Sequence, residues 1–166
     1  VSRCAMEGCD PDCQRPRLAG EREDTSAQVI RELVEEEMGG EIIEYRVVPD
    51  EKDEIMAALI EMTDYYNADL ILTTGGTGLA PRDVTPEATL SIVDRLAPGF
   101  AEAMRQGAMA KTPRAMLSRA VSGIRGRTLI INLPGSPKGV HENLAVIIDQ
   151  LPHALAILTG REGDHG

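Results

Sequence analysis

Residues 73–89 read TTGGTGLAPRDVTPEAT, and their neighbours make the stretch a strand end, a loop and a helix start. Asp69-Leu70-Ile71-Leu72 comes just before it, a short apolar run of the kind buried in a parallel sheet. The strand empties into Thr73-Thr74-Gly75-Gly76-Thr77-Gly78, which crowds three glycines and three hydroxyls into six positions. Glycine lets the backbone turn sharply and approach a ligand, leaving amides free to hold an anion. Arg82 and Asp83 follow, and Thr85-Pro86-Glu87 opens a helix with a capping residue and proline at its first position. The spacing is not that of a P-loop, because no Lys-Ser or Lys-Thr follows the glycines. Nor is it G-x-G-x-x-G, since Pro81 stands at the third glycine. A tight turn alone would explain Gly-Gly; it would not explain Arg82-Asp83.

Working outward, strands and helices alternate. Thr25-Ser26 after Glu23-Asp24 supplies caps, and Val29, Ile30, Leu33, Val34 and Met38 form a helical stripe ended by Gly39-Gly40. Ile42 to Val48 reads as a strand, Asp53 to Tyr66 as a helix, and further helices are expected near Pro86–Leu96 and Gly99–Lys111. Val121–Ile124 and Thr128–Leu133 read as strands turning at Arg125-Gly126, and His141–Thr159 as a last amphipathic helix. This order predicts an α/β fold, a three-layer α/β/α sandwich with a mainly parallel sheet, in one domain spanning residues 1–166. Ligands of such sheets bind beyond the carboxyl ends of the strands. Asp50, Gly75–Gly78 and Pro134-Gly135-Ser136 each follow a strand end, so they are expected on one rim.

Composition is less specific. Aromatics are scarce (Tyr45, Tyr65, Tyr66 and Phe100), so aliphatic residues and methionine must fill the core. No apolar run reaches membrane-spanning length and no signal peptide is evident, giving the expectation of a cytoplasmic protein without a membrane partner. A net charge of −10 argues against nucleic acid. His141, His153 and His165 lack metal-ligand spacing, as do Cys4, Cys9 and Cys13.

The string TTGGTG…PRDVTPEA resembles the signature of Mog/MoaB-type molybdenum cofactor biosynthesis proteins, which include the G domain of gephyrin and its plant counterpart. Residues 128–139, TLIINLPGSPKG, resemble the family's other signature strand and loop. Val48-Pro49-Asp50-Glu51, Ala97-Pro98-Gly99, Met116-Leu117-Ser118-Arg119 and Leu151-Pro152-His153-Ala154 also match, so the likeness runs from about Gly20 to about Leu158. It implies the molybdopterin-binding fold and ATP-dependent adenylylation of molybdopterin, with pyrophosphate released. It also implies Mg²⁺, a homotrimer and a molybdenum insertase as partner. A non-catalytic molybdopterin-binding assembly subunit is the alternative within the family. A CinA-like domain is disfavoured, because that family tends to read Gly-Gly-Leu-Gly-Pro-Thr.

Asp50 and Asp83 match the family's two catalytic aspartates and are expected to position the metal. Gly75, Gly76, Thr77, Gly78, Ser118, Gly135 and Ser136 match its substrate and phosphate contacts. On the residues alone other readings stay open. Asp50 also suits a turn or helix cap after Pro49, and Asp83 a partner of Arg82 or a loop cap. Ser136 suits a helix approach, and Lys138 a solvated surface.

The amino-terminal end departs from the family, whose members open with an apolar first strand leading into Val-Ser-Asp. Matching Val1-Ser2 to the end of that strand leaves most of the strand absent and puts Arg3 in the aspartate's place. It also gives Cys4–Leu18 no counterpart, so residues 1–19 are expected to be an atypical segment and the sheet to have a gap. A reading-frame error or a wrong start would explain it.

Overall fold

In the computed structural model the described residues are 1–10 and 25–161, the side chains of Glu7, Cys9 and Asp10 excepted. Six strands form one sheet in the order β2-β1-β3-β6-β5-β4. They are β1 (Arg3–Asp10), β2 (Glu41–Pro49), β3 (Leu70–Thr74), β4 (Arg95–Leu96), β5 (Ser122–Arg125) and β6 (Thr128–Leu133). The pairs β1–β2, β1–β3 and β3–β6 are parallel; β5 joins β6, and β4 joins β5, in antiparallel fashion. Helices α1 (Thr25–Glu32), α2 (Lys52–Asp64), α3 (Thr85–Ile92), α4 (Pro98–Met109), α5 (Pro137–Ile147) and α6 (Leu151–Thr159) complete the order.

Strand alternation explains the three layers. Cys4 and Met6 of β1, Leu70 and Leu72 of β3, and Leu129, Ile131 and Leu133 of β6 pack in one core with Ile30, Met104, Leu144 and Leu151. Ala5, Ile71 and Ile130, one residue out of phase, pack with Ile55, Leu59, Met62 and Ile92 of α2 and α3. Burying one such aliphatic side chain contributes about 1.5–3 kcal/mol. The expected sandwich with a mainly parallel sheet is what forms.

Several expectations need correction. The first strand is present: RCAMEGCD is β1, hydrogen-bonded between β2 and β3 with Gly8 beside Thr74 and Asp10 beside Pro49. The sheet has no gap there, and matching Val1-Ser2 to the strand's end set the register too early. Arg3 lies at the strand's opposite end, where its amide donates to Asp69 Oδ2 at 2.9 Å, so it reverses no charge at the rim. Cys4 is a buried free thiol, pushed up to about 12 by burial and by Asp69. Cys13, residues 11–19 and the Glu23-Asp24 cap lie outside the described residues.

The helix expected to run to Leu96 stops at Ile92, and Arg95–Leu96 becomes an edge strand. The final helix begins at Pro137 rather than His141, because Ser136 caps it, and a 3₁₀ turn over Ile148–Gln150 splits it before Pro152. After Glu32 the first helix continues as a π turn, Leu33–Glu37.

Candidate functional site at the strand-end rim

The pairings Asp10–Pro49, Gly8–Thr74 and Thr74–Leu133 bring the carboxyl ends of β2, β1, β3 and β6 to one side of the sheet. There Gly75 and Gly76 adopt φ of +86° and +66°, left-handed conformations that turn the chain out of β3. The Gly75 amide donates to Leu133 O at 3.1 Å, joining this loop to the one after β6. A β-carbon on Gly135 would stand 3.3 Å from the Gly75 α-carbon, so the two glycine loops touch backbone to backbone. Ser26 Oγ, on α1, donates to Gly135 O at 2.9 Å.

Asp50 and Asp83 come together here from separate segments. A β-carbon on Gly76 would lie 3.2 Å from Asp50 Oδ1, and one on Gly78 would lie 2.7 Å from Asp83 Oδ2. Asp50 does not cap α2, which has no side-chain cap; its Oδ1 is buried without a hydrogen-bond partner. Burial pushes the Asp50 carboxyl above the usual carboxylate range. The nearby Asp83 and, less strongly, Glu51 add to this, while Arg82 partly offsets it. Asp83 accepts the Ala80 amide at 3.0 Å, so the loop-cap reading holds for one of its oxygens.

Thr77 is buried, and its carbonyl accepts the Arg119 amide at 2.8 Å. Thr85 is not the cap of α3; Val84 precedes the helix, and Thr85 packs buried against Gly76, its amide donating to Gly76 O at 3.2 Å. Proline does stand in the helix's first turn.

Ser118 and Ser136 lie on a different part of the rim. They line a cleft of about 390 Å³ between α4, the 3₁₀ turn Pro113–Leu117 and the start of α5. Arg105, Arg114 and Lys138 face it, together with Thr112, Glu142 and Asn143. Ser136 Oγ accepts the Gly139 amide at 3.0 Å, so the helix-approach reading describes its present bond. Arg105 holds the cleft wall through Ala120 O at 2.7 Å.

The role of Asn132 was not foreseen, and Arg119, which the resemblance put beside Ser118 near the substrate pocket, has a partner that was not. Asn132 is fully buried in β6 and donates to Thr73 Oγ1 at 3.0 Å and Thr89 Oγ1 at 2.9 Å; its Oδ1 accepts the Val121 amide at 3.2 Å. Arg119 pairs with Glu87, holding that carboxyl below its usual range. The asparagine sits inside the second signature stretch, which was the available signal; nothing local marked Glu87 as the arginine's partner.

Among the described residues no cluster of three or more carboxylate, histidine or cysteine side chains could by itself cage a metal, and no helix is long and apolar enough to cross a membrane.

The comparisons bear on the family and the fold. A molybdopterin adenylyltransferase of Helicobacter pylori (strain J99 / ATCC 700824) is 43% identical over 142 residues, 85% of this chain and 81% of that protein. The molybdopterin biosynthesis enzyme MoaB of Thermus thermophilus superposes with a TM-score of 0.87 at 49% identity, covering 96% of this chain and 98% of that one. The Mog protein of Mycobacterium ulcerans follows with a TM-score of 0.82 at 37% identity, over 96% and 99%. Residues 15–153 match the family model described as a probable molybdopterin binding domain, and the chain belongs to that molybdenum cofactor biosynthesis family.

Proposed function

We propose that this chain is a molybdopterin adenylyltransferase acting as a single molybdopterin-binding domain. The terminal phosphate of molybdopterin attacks the α-phosphorus of ATP, a new P–O–P bond forms, and the bond to the β-phosphate breaks as pyrophosphate leaves. The observation that carries this reading is the buried, unpartnered Asp50 Oδ1 within the field of Asp83, beside a glycine-rich turn. A buried, unpartnered carboxylate oxygen near a second carboxylate is a donor set that a cation accompanying the polyphosphate would satisfy.

Mg²⁺ fits that donor set, because it is commonly bound through one or two carboxylates, substrate phosphates and water rather than a full protein cage. Asp50 and Asp83 would hold it. When bound, it neutralises phosphate charge as a Lewis acid. The chain's own residues supply position. The Gly76–Gly78 turn offers backbone amides to the nucleotide phosphates, with Thr77 held by the Arg119 amide. The cleft with Arg105, Arg114, Lys138, Ser118 and Ser136 would take the anionic end of molybdopterin, a reading its three cations support, and Gly135 links the two regions. Catalysis then consists of aligning two anions and offsetting their charge.

The assembly-subunit reading drew on the absent Val-Ser-Asp; β1 restores the strand, and it ends in Gly8-Cys9-Asp10 rather than that tripeptide. A homotrimer and delivery to a molybdenum insertase belong to the same proposal. Its test is molybdopterin-dependent pyrophosphate release from Mg-ATP, alongside Asp83→Ala. Release that disappears in the variant supports transfer; binding of molybdopterin with no release by the unsubstituted chain overturns it.

A further inference from the structure

Arg119 occupies a place that ion pairing alone does not explain. Its Nε donates to Gly78 O at 2.7 Å and its Nη2 to Asp83 O at 2.6 Å. Nη1 bonds Glu87 Oε1, and Nη2 also reaches Oε2 at 3.4 Å. Its backbone amide holds Thr77 O at 2.8 Å. One planar group therefore grips both ends of the 78–83 loop and ties them to the first turn of α3. Inside that loop the Asp83 carboxylate lies over Gly78 and accepts the Ala80 amide.

We infer that Arg119, held by Glu87, is a positioning residue that sets Asp83 against the glycine turn. The inference rests on the adenylyl-transfer reading for its catalytic consequence, and on geometry alone for its structural one. The pair is poorly suited to a stability role: the side chains of Arg119 and Glu87 are 34% and 42% exposed, and water screens such pairs. The fork geometry is what matters. Two carbonyls and a carboxylate held at once suit a guanidinium, and a lysine ammonium would keep the charge while losing the simultaneous grip. The two carbonyls it holds belong to Gly78 and Asp83, whose α-carbon and carboxylate meet, so releasing either loosens the backbone that sets the carboxylate over the glycine.

The test compares Arg119→Lys, Arg119→Ala and Glu87→Gln with the unsubstituted chain by amide hydrogen exchange, thermal melting and steady-state pyrophosphate release. In Arg119→Lys the amides of residues 78–83, Ala80 above all, should exchange about tenfold faster or more, while melting moves by only a few degrees. The turnover number should fall about 10–100-fold with KM for ATP within about threefold, the signature of misplacement rather than lost binding. Glu87→Gln should move both readouts the same way by less. Unchanged exchange in the 78–83 segment of Arg119→Lys overturns the inference, as does a loss of turnover that only tracks a fall in melting temperature. If Arg119→Ala fails to fold, the lysine variant decides. If the unsubstituted chain releases no pyrophosphate, the transfer reading fails, and amide exchange still decides whether Arg119 braces the loop.

Discussion

The Asp83 carboxylate rests on the α-carbon of Gly78, so close that a β-carbon there would come within 2.7 Å of Oδ2. The atom in the way is the tip of a side chain, not backbone, and the φ of Gly78 is not positive. Gly78→Ala should therefore fold with a stability change of about 1 kcal/mol or less, the carboxylate swinging aside. Pyrophosphate release should nevertheless drop about 10–100-fold, measured as turnover beside a urea melt. A fully active Gly78→Ala would remove Asp83 from the reaction.

Asp50 predicts a pH effect of the opposite sign to that of a salt-bridged carboxylate. Its folded-state pKa is raised above the reference value of 3.8, so between the two values the folded chain binds more protons than the unfolded one. The group's contribution to stability falls as pH rises through that window, and the penalty stays in full above it. Asp50→Asn should melt at the same or a higher temperature near neutral pH, with the difference closing as pH falls toward 3.8. Transfer should be lost in the same variant. A lower neutral-pH melting temperature would count against a desolvated, unpaired carboxylate.

Asn132 should be a fold residue with a site phenotype. Its three bonds join β6 to β3, α3 and the segment before β5. Asn132→Ala leaves buried hydroxyls and an amide without their partner, which should cost about 2–3 kcal/mol in urea unfolding. Thr73 lies just before the glycine turn, so turnover should fall as well.

The cationic cleft predicts a change in substrate affinity. Lys138→Ala and Arg114→Ala should each raise KM for molybdopterin about tenfold, because in the proposed site each removes a cation that would bond an anion. The effect should shrink as salt is raised. Unaltered KM in both variants would place the molybdopterin anion elsewhere.

Sequence sufficed where local chemistry and local structure agree. Leu70–Leu72 is apolar on both faces because its strand is buried on both faces, and Gly75-Gly76 marks a backbone that takes positive φ. The first strand was illegible for the opposite reason. Its described buried core, Cys4, Ala5 and Met6, is small or soft, and Arg3, Glu7 and Gly8 interrupt the pattern. Pairing with β2 and β3 on either side overrides that weak propensity. The break near Ile148 hid inside an apolar stripe that continues across it, though Pro152 was a usable sign. The grip of Arg119 on residues 41 and 36 positions away is set only by the folded chain.

The carboxylate of Asp69 also receives the Arg3 amide and the Arg161 guanidinium, at 2.9 Å and 3.0 Å. Both ends of the described core thus gather at one corner, at the amino ends of the parallel strands, with the rim on the far side of the sheet. Arg3 and Arg161 are tied through one carboxylate, although 158 positions separate them in sequence. A bead, dye or fused carrier attached near this corner would stand at the end of the strands opposite the glycine loops.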